Sequence, residues 1–110
     1  MKRGEVFVVA DPPDGDFLGR PRPAVIVQSD NFNAGHSITV CPITSQYDDA
    51  QLIRLPLMPS AALRLAGPSW IAVDKVSSIR RDRMRQSLGF LSGDELVALN
   101  RSLAVFLGFA

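Results

Sequence analysis

Cysteine and histidine are nearly absent from this 110-residue chain, which carries Cys41 and His36 and no others. One thiol closes no intrachain disulfide, and one thiol with one imidazole is too few ligands for a zinc site. Cys41 sits inside an apolar stretch and reads as a buried small hydrophobe, while His36 lies in a polar turn and reads as solvent-facing. Long apolar runs are missing too. Ala24 to Val27 and Ile71 to Val73 fall far short of the about 20 residues that a membrane-spanning helix needs. No apolar leader follows Met1-Lys2-Arg3-Gly4-Glu5, so the expectation is a cytoplasmic protein without a membrane partner. Excess charge is also lacking: 12 Lys and Arg face 11 Asp and Glu, a net charge of +1, which excludes a polycation binding nucleic acid by bulk attraction.

What is present is a compact, apolar-rich composition, 46% hydrophobic and 21% charged, which excludes a disordered chain. No repeat, linker or low-complexity segment divides it, and one domain over residues 1–110 is expected. Charge is uneven along the chain. Asp11 to Asp16 holds three aspartates and no base, whereas Lys75, Arg80, Arg81, Arg83 and Arg85 face one acid, Asp82. That second segment reads either as a basic docking face or as a solvated turn.

Strands are expected over Glu5 to Ala10, Arg22 to Ser29, Ser37 to Thr44, Leu52 to Leu57 and Ser69 to Asp74, with a short sixth over Val76 to Ile79. Ala24 to Val27 is apolar without alternation, the pattern of a strand covered on both faces. Residues 11 to 21, rich in Pro, Gly and Asp, form a long loop of the kind that commonly serves a site, here a flap. Met58 to Arg64 reads as a helical turn capped by Ser60. The clearest helix follows Ser92. Ser92 and Glu95 fit a capping box, Leu96, Leu99, Leu103 and Phe106 recur at helical spacing, and Gly108 supplies a stop. The fold class expected is mainly β, a small SH3-like or CcdB-like barrel of five to seven mostly antiparallel strands with an amphipathic C-terminal helix packed on it. The single Trp70 is assigned to core or interface.

Arg22 stands at the entrance of the second strand between Pro21, whose φ is fixed, and Pro23, which biases Arg22 towards extended geometry. Thr44 closes the third strand. If the two strands pair antiparallel, the start of one lies beside the end of the other, and a guanidinium meets a hydroxyl at one edge. With Ser45 and Gln46 next along, such a group suits a phosphodiester, though Arg and Thr are also ordinary residues at strand ends.

Four blocks in order, Lys2-Arg3-Gly4-Glu5-Val6, Arg22-Pro23-Ala24-Val25-Ile26-Val27, Val40-Cys41-Pro42-Ile43-Thr44-Ser45-Gln46 and Val73-Asp74-Lys75-Val76-Ser77-Ser78-Ile79, closely resemble the MazF/PemK family of toxins from toxin-antitoxin systems. The resemblance implies a homodimeric β-barrel endoribonuclease that cuts single-stranded RNA, messenger RNA foremost, at short motifs without a metal or other cofactor. It also implies a cognate antitoxin protein. It makes Arg22 and Thr44 the catalytic pair; Arg20, Ser45, Gln46, Asp74 and Lys75 are the candidate substrate contacts beside them. The implied chemistry is attack by the RNA 2′-hydroxyl, leaving a 2′,3′-cyclic phosphate and a 5′-hydroxyl. Two departures stand out. Phe17 and Leu18 replace a Glu-Gln pair common in the family, and the Arg-x-Asp of its PemK-like branch here reads Ala72-Val73-Asp74. Alternatives are a CcdB-like toxin that inhibits gyrase, sharing the barrel, and a catalytically inactive barrel that binds partners.

Overall fold

The computed structural model describes residues 1–10, 21–50 and 52–110. Residues 11–20 of the expected flap, with its aspartates, Phe17, Leu18 and Arg20, lie outside them. The described chain forms one antiparallel sheet of seven strands and a C-terminal helix. The strands are β1 (Glu5–Val9), β2 (Arg22–Ile26), β3 (Ser37–Thr44), β4 (Arg54–Leu57), β5 (Ser69–Ala72), β6 (Ser77–Arg80) and β7 (Met84–Phe90), followed by α1 (Gly93–Leu107). Their order is β4-β5-β3-β2-β1-β7, with β6 paired to the first half of β3. The expected mainly β class is what the chain adopts.

The central strand is covered on both faces, as its continuous apolar run predicts. Val25 packs with Val6, Cys41, Ile43, Ile71 and Leu99 on one side, and Ala24 and Ile26 pack with Phe7, Val9, Ile38 and Val40 on the other. One sheet thus lines two cores because it curls. The curl brings the loop after β4 against β7, where Arg64 N–H donates to Leu88 O at 2.8 Å and Phe90 N–H donates to Ala62 O at 3.0 Å.

That seam explains where the expected and observed elements part. Residues 58–64 are not a helical turn. Ser60 and Leu63 bridge each other, N–H to O in both directions at 2.9 and 3.2 Å, and the fold buries Leu63 completely. A helix would consume the carbonyl of Ala62 internally, whereas here it receives Phe90. The fifth strand stops at Ala72 because Val73–Lys75 turns as a 3-10 segment. Likewise β4 begins at Arg54, leaving Leu52 exposed. Strand β7 has no counterpart among the expected strands. Its pairing with β1 slips register twice, so its apolar residues do not alternate.

Gly89 sits at one slip, with φ +121°, and an added Cβ would stand 1.9 Å from Ala62 O. Only glycine allows that approach. At the other end of the turn, the expected capping box is formed: Glu95 N–H donates to Ser92 Oγ at 3.2 Å and Ser92 N–H donates to Glu95 Oε1 at 2.8 Å. Leu96, Leu99 and Leu103 cover the first core, and Ser102 donates its hydroxyl to Leu52 O. Phe106 does not join them. It is exposed, with Val105, Leu107 and Phe109, because the last helical turn runs past the sheet's apolar face.

Cys41 is fully buried, and that burial pushes its thiol pKa up to about 12 against a smaller opposing pull from Arg3. In urea titrations, Ser92→Ala lowers stability by about 1 kcal/mol, the usual worth of an N-cap. Gly89→Ala costs more, because it adds a backbone clash to the strained φ; equal costs would contradict the seam. A thiol-specific reagent at pH 8 labels Cys41 only after denaturation, and rapid labelling in buffer would contradict its burial.

Candidate active site

Strands β2 and β3 pair as Ala24 with Pro42, Val25 with Cys41 and Ile26 with Val40. Extending that register by two residues sets Arg22 opposite Thr44. Residues two apart share a face of a strand, so both belong to the face that carries Ala24 and Pro42. Arg22, Ala24, Pro42 and Thr44 all line one cavity of about 670 Å³. That volume is ample for a nucleotide-sized ligand.

The Thr44 hydroxyl is oriented by its own chain. Its Oγ1 accepts a hydrogen bond from Gln46 N–H at 3.1 Å, so a lone pair is used and its proton remains to be donated. Thr44 also pairs with Trp70 on β5, and Trp70 in turn braces Tyr47, the two rings meeting edge to face with centroids 5.5 Å apart. Tyr47 is 63% exposed at the cavity wall. Trp70 is half-buried, as a core or interface role requires, yet its ring also steadies an aromatic face beside the site.

The described lining is cationic. Arg22, Arg54, Lys75 and Arg83 contribute to it, against Asp48. Asp48 is turned to local work, accepting from Ala50 N–H at 2.8 Å. The basic segment from Lys75 to Arg85 therefore divides. Lys75 and Arg83 reach the cavity, whereas Arg80 pairs with Asp82 at 2.5 Å, Arg81 donates to Gly35 O at 3.1 Å and Arg85 donates to Asp82 O at 2.6 Å. Arg83 is fixed at the cavity rim by a bond from Nε to Ala10 O of 2.7 Å.

The remaining candidates do not share one place. Gln46 and Lys75 line the same cavity as Arg22 and Thr44. Ser45 faces a neighbouring hollow of about 660 Å³ that shares Arg22, Pro23 and Ile43 with the first and adds Pro21 and Arg64. Asp74 is not part of either lining; its carboxylate is ion-paired with Arg54. Arg20 lies outside the described residues. Arg54 and Tyr47 are the cavity residues that the reading of the sequence missed. Arg54 had a usable signal: in Arg54-Leu55-Pro56-Leu57 the leucines take the core face, so the arginine must take the other. Tyr47, a single aromatic in a polar connection, offered none.

Residues 2–107 match the family of PemK-like, MazF-like toxins of type II toxin-antitoxin systems. The chain is 37% identical over 110 residues to the probable endoribonuclease MazF of Mycolicibacterium smegmatis, covering 100% of this chain and 99% of that protein. It is 26% identical to the endoribonuclease MazF of Staphylococcus saprophyticus, covering 98% of this chain and 92% of the relative. Among solved structures, a mycobacterial endoribonuclease in complex with its cognate antitoxin superposes with a TM-score of 0.80 at 21% identity, over 100% of this chain and 97% of that one. The MazF of Deinococcus radiodurans does so at 0.76 and 22%, over 98% and 96%. The structural likenesses bear on fold alone, and the full-length sequence matches carry the assignment: the chain belongs to the PemK-like, MazF-like toxins of type II toxin-antitoxin systems and is an endoribonuclease of that family.

Proposed function

We propose that this toxin cuts single-stranded RNA, messenger RNA foremost, at short sequence motifs and without a metal, with Arg22 and Thr44 as its catalytic pair. The observation that carries the reading is the opposed placement of these two residues on β2 and β3, on one wall of a cationic cavity. The nucleophile is the substrate's own 2′-oxygen. Its bond to phosphorus forms as the bond from phosphorus to the 5′-oxygen breaks; the 2′-oxygen loses a proton and the 5′-oxygen gains one. The products are a 2′,3′-cyclic phosphate and a 5′-hydroxyl.

In that reaction the protein has to align the 2′-oxygen with the leaving group and stabilise charge gathering on the phosphoryl oxygens. Arg22 supplies a permanently charged planar fork suited to a phosphate. Thr44 donates its hydroxyl proton to a phosphoryl oxygen, the geometry its bond from Gln46 N–H leaves free. Gln46 and Lys75 hold the flanking RNA within the same cavity, and Ser45 meets the next nucleotide in the neighbouring hollow. Tyr47, exposed and braced by Trp70, gives a base a face to stack on. The alternative of a gyrase inhibitor shares the fold, but the full-length relatives are named endoribonucleases, which favours RNA.

The partner proposed is a cognate antitoxin whose acidic segment covers the cationic cavity, making inhibition competitive with RNA. Solved neighbours include a toxin bound to its antitoxin. The toxin acts in the cytoplasm as a homodimer, a reading supported by the apolar surface that Val105, Phe106, Leu107 and Phe109 leave uncovered on a small chain.

Purified protein with chelator present cleaves a defined transcript, and Arg22→Ala abolishes cleavage while the circular dichroism spectrum is kept. Thr44→Val, which removes one donor to the transition state, slows it about a hundred- to a thousandfold. Unchanged rates in either variant remove that residue from the mechanism. Sedimentation gives a mass near twice 12.0 kDa at working concentrations, and a monomer mass would defeat the dimer.

A further inference from the structure

Arg54 opens β4 directly opposite Ala72 on β5, and its side chain is only 11% exposed. Its guanidinium is ion-paired with Asp74 and donates to Ile53 O at 3.3 Å. Both bonds use Nη1, and among the described residues the Nε and Nη2 donors of the fork engage no partner. Yet Arg54 lines the cavity that Arg22 and Thr44 share, whereas Asp74, which holds it, does not. Across from it Ala72 adds only a methyl to the wall. A largely desolvated arginine and aspartate at a strand start are weak evidence for stability, since the cost of removing both charges from water offsets most of their attraction. The arrangement makes better sense as an orienting device: the carboxylate fixes one corner of the fork, and the rest faces a ligand that is negative and planar-bidentate.

We infer that Arg54, positioned by Asp74, is a second RNA-binding guanidinium that takes a backbone phosphate next to the scissile one. The inference rests on the RNA-cleaving reading above. Strands β2 and β4 are separated by β3 and β5, so their stems start about 14 Å apart along the sheet, three strand spacings of about 4.8 Å. Two side chains so placed address successive phosphates of one strand instead of sharing one. Arg54 thus contributes to binding register, and Asp74, a candidate substrate contact from the sequence, acts through Arg54 as a positioning residue.

The test measures binding of a fluorescent 2′-O-methyl oligoribonucleotide, drawn from a transcript the wild type cuts, between 50 and 200 mM salt. Each phosphate contact on a single strand adds about 0.7 to the slope of log K against log salt. Arg54→Gln keeps a donor for Asp74 and so protects the fold; its slope is expected to be shallower by about 0.7, with Kd weakened about tenfold at 50 mM. Arg54→Lys keeps the charge and the slope but binds more weakly than wild type, because an ammonium cannot serve carboxylate and phosphate together as a fork does. Asp74→Asn keeps the slope and weakens Kd less than Arg54→Gln. A merely structural pair would lower thermal stability in both variants and leave the slope untouched. Wild-type slope and Kd in folded Arg54→Gln overturn the inference while leaving the cleavage reading in place, provided Arg22→Ala is inactive. A wild type that neither cuts nor binds RNA overturns both.

Discussion

The ladder between β2 and β3 is the constraint on which the rest depends. Three paired positions, from Ala24 with Pro42 to Ile26 with Val40, lock these strands in a register that leaves Arg22 and Thr44 opposed at the open end. A shift of one residue would turn every side chain of β2 to the other face. It would exchange Ala24 and Ile26 with Val25 between the two cores and turn Arg22 away from the face that carries Thr44. The register is therefore held by the same apolar residues that form the two cores, so that stability and site geometry are one requirement.

Around that ladder the fold separates holding from reacting. The cores take Val25 and Ile43 on one side and Ile26 and Val40 on the other, and the cavity opens where the apolar run ends. Positive charge gathers there although the chain is almost neutral. Lys75 and Arg83 come from the 3-10 turns flanking β6, and Arg54 comes from the sheet's far edge. Local potential, and not net charge, is what a polyanion meets at this surface.

Much of this was legible from residues alone. The non-alternating Ala24 to Val27 run marked the central strand, and Ser92 with Glu95 marked the helix start, because both are written in short-range chemistry. Arg22 and Thr44 stood out because prolines and strand ends fix their places. What escaped was non-local. Strand β7 slips twice against β1 and so lost its alternation, and residues 58–64 became a bridged turn because β7 needed the carbonyl of Ala62. Phe106 fits the helical period, but the period cannot say where the sheet beneath it stops. The link between Arg54 and Asp74 joins residues twenty apart through the pairing of β4 with β5, which no spacing rule encodes.

Everything above requires that one phosphate be gripped by Arg22 and Thr44 together. The decisive measurement is a crystal structure of the toxin with a 2′-O-methyl RNA containing its cleavage motif. The expected result is a single phosphate at the cleavage position with the Arg22 guanidinium and Thr44 Oγ1 both within roughly 2.7–3.2 Å of its oxygens. A cleavage-position phosphate held elsewhere, with these two side chains contacting no RNA, would contradict it.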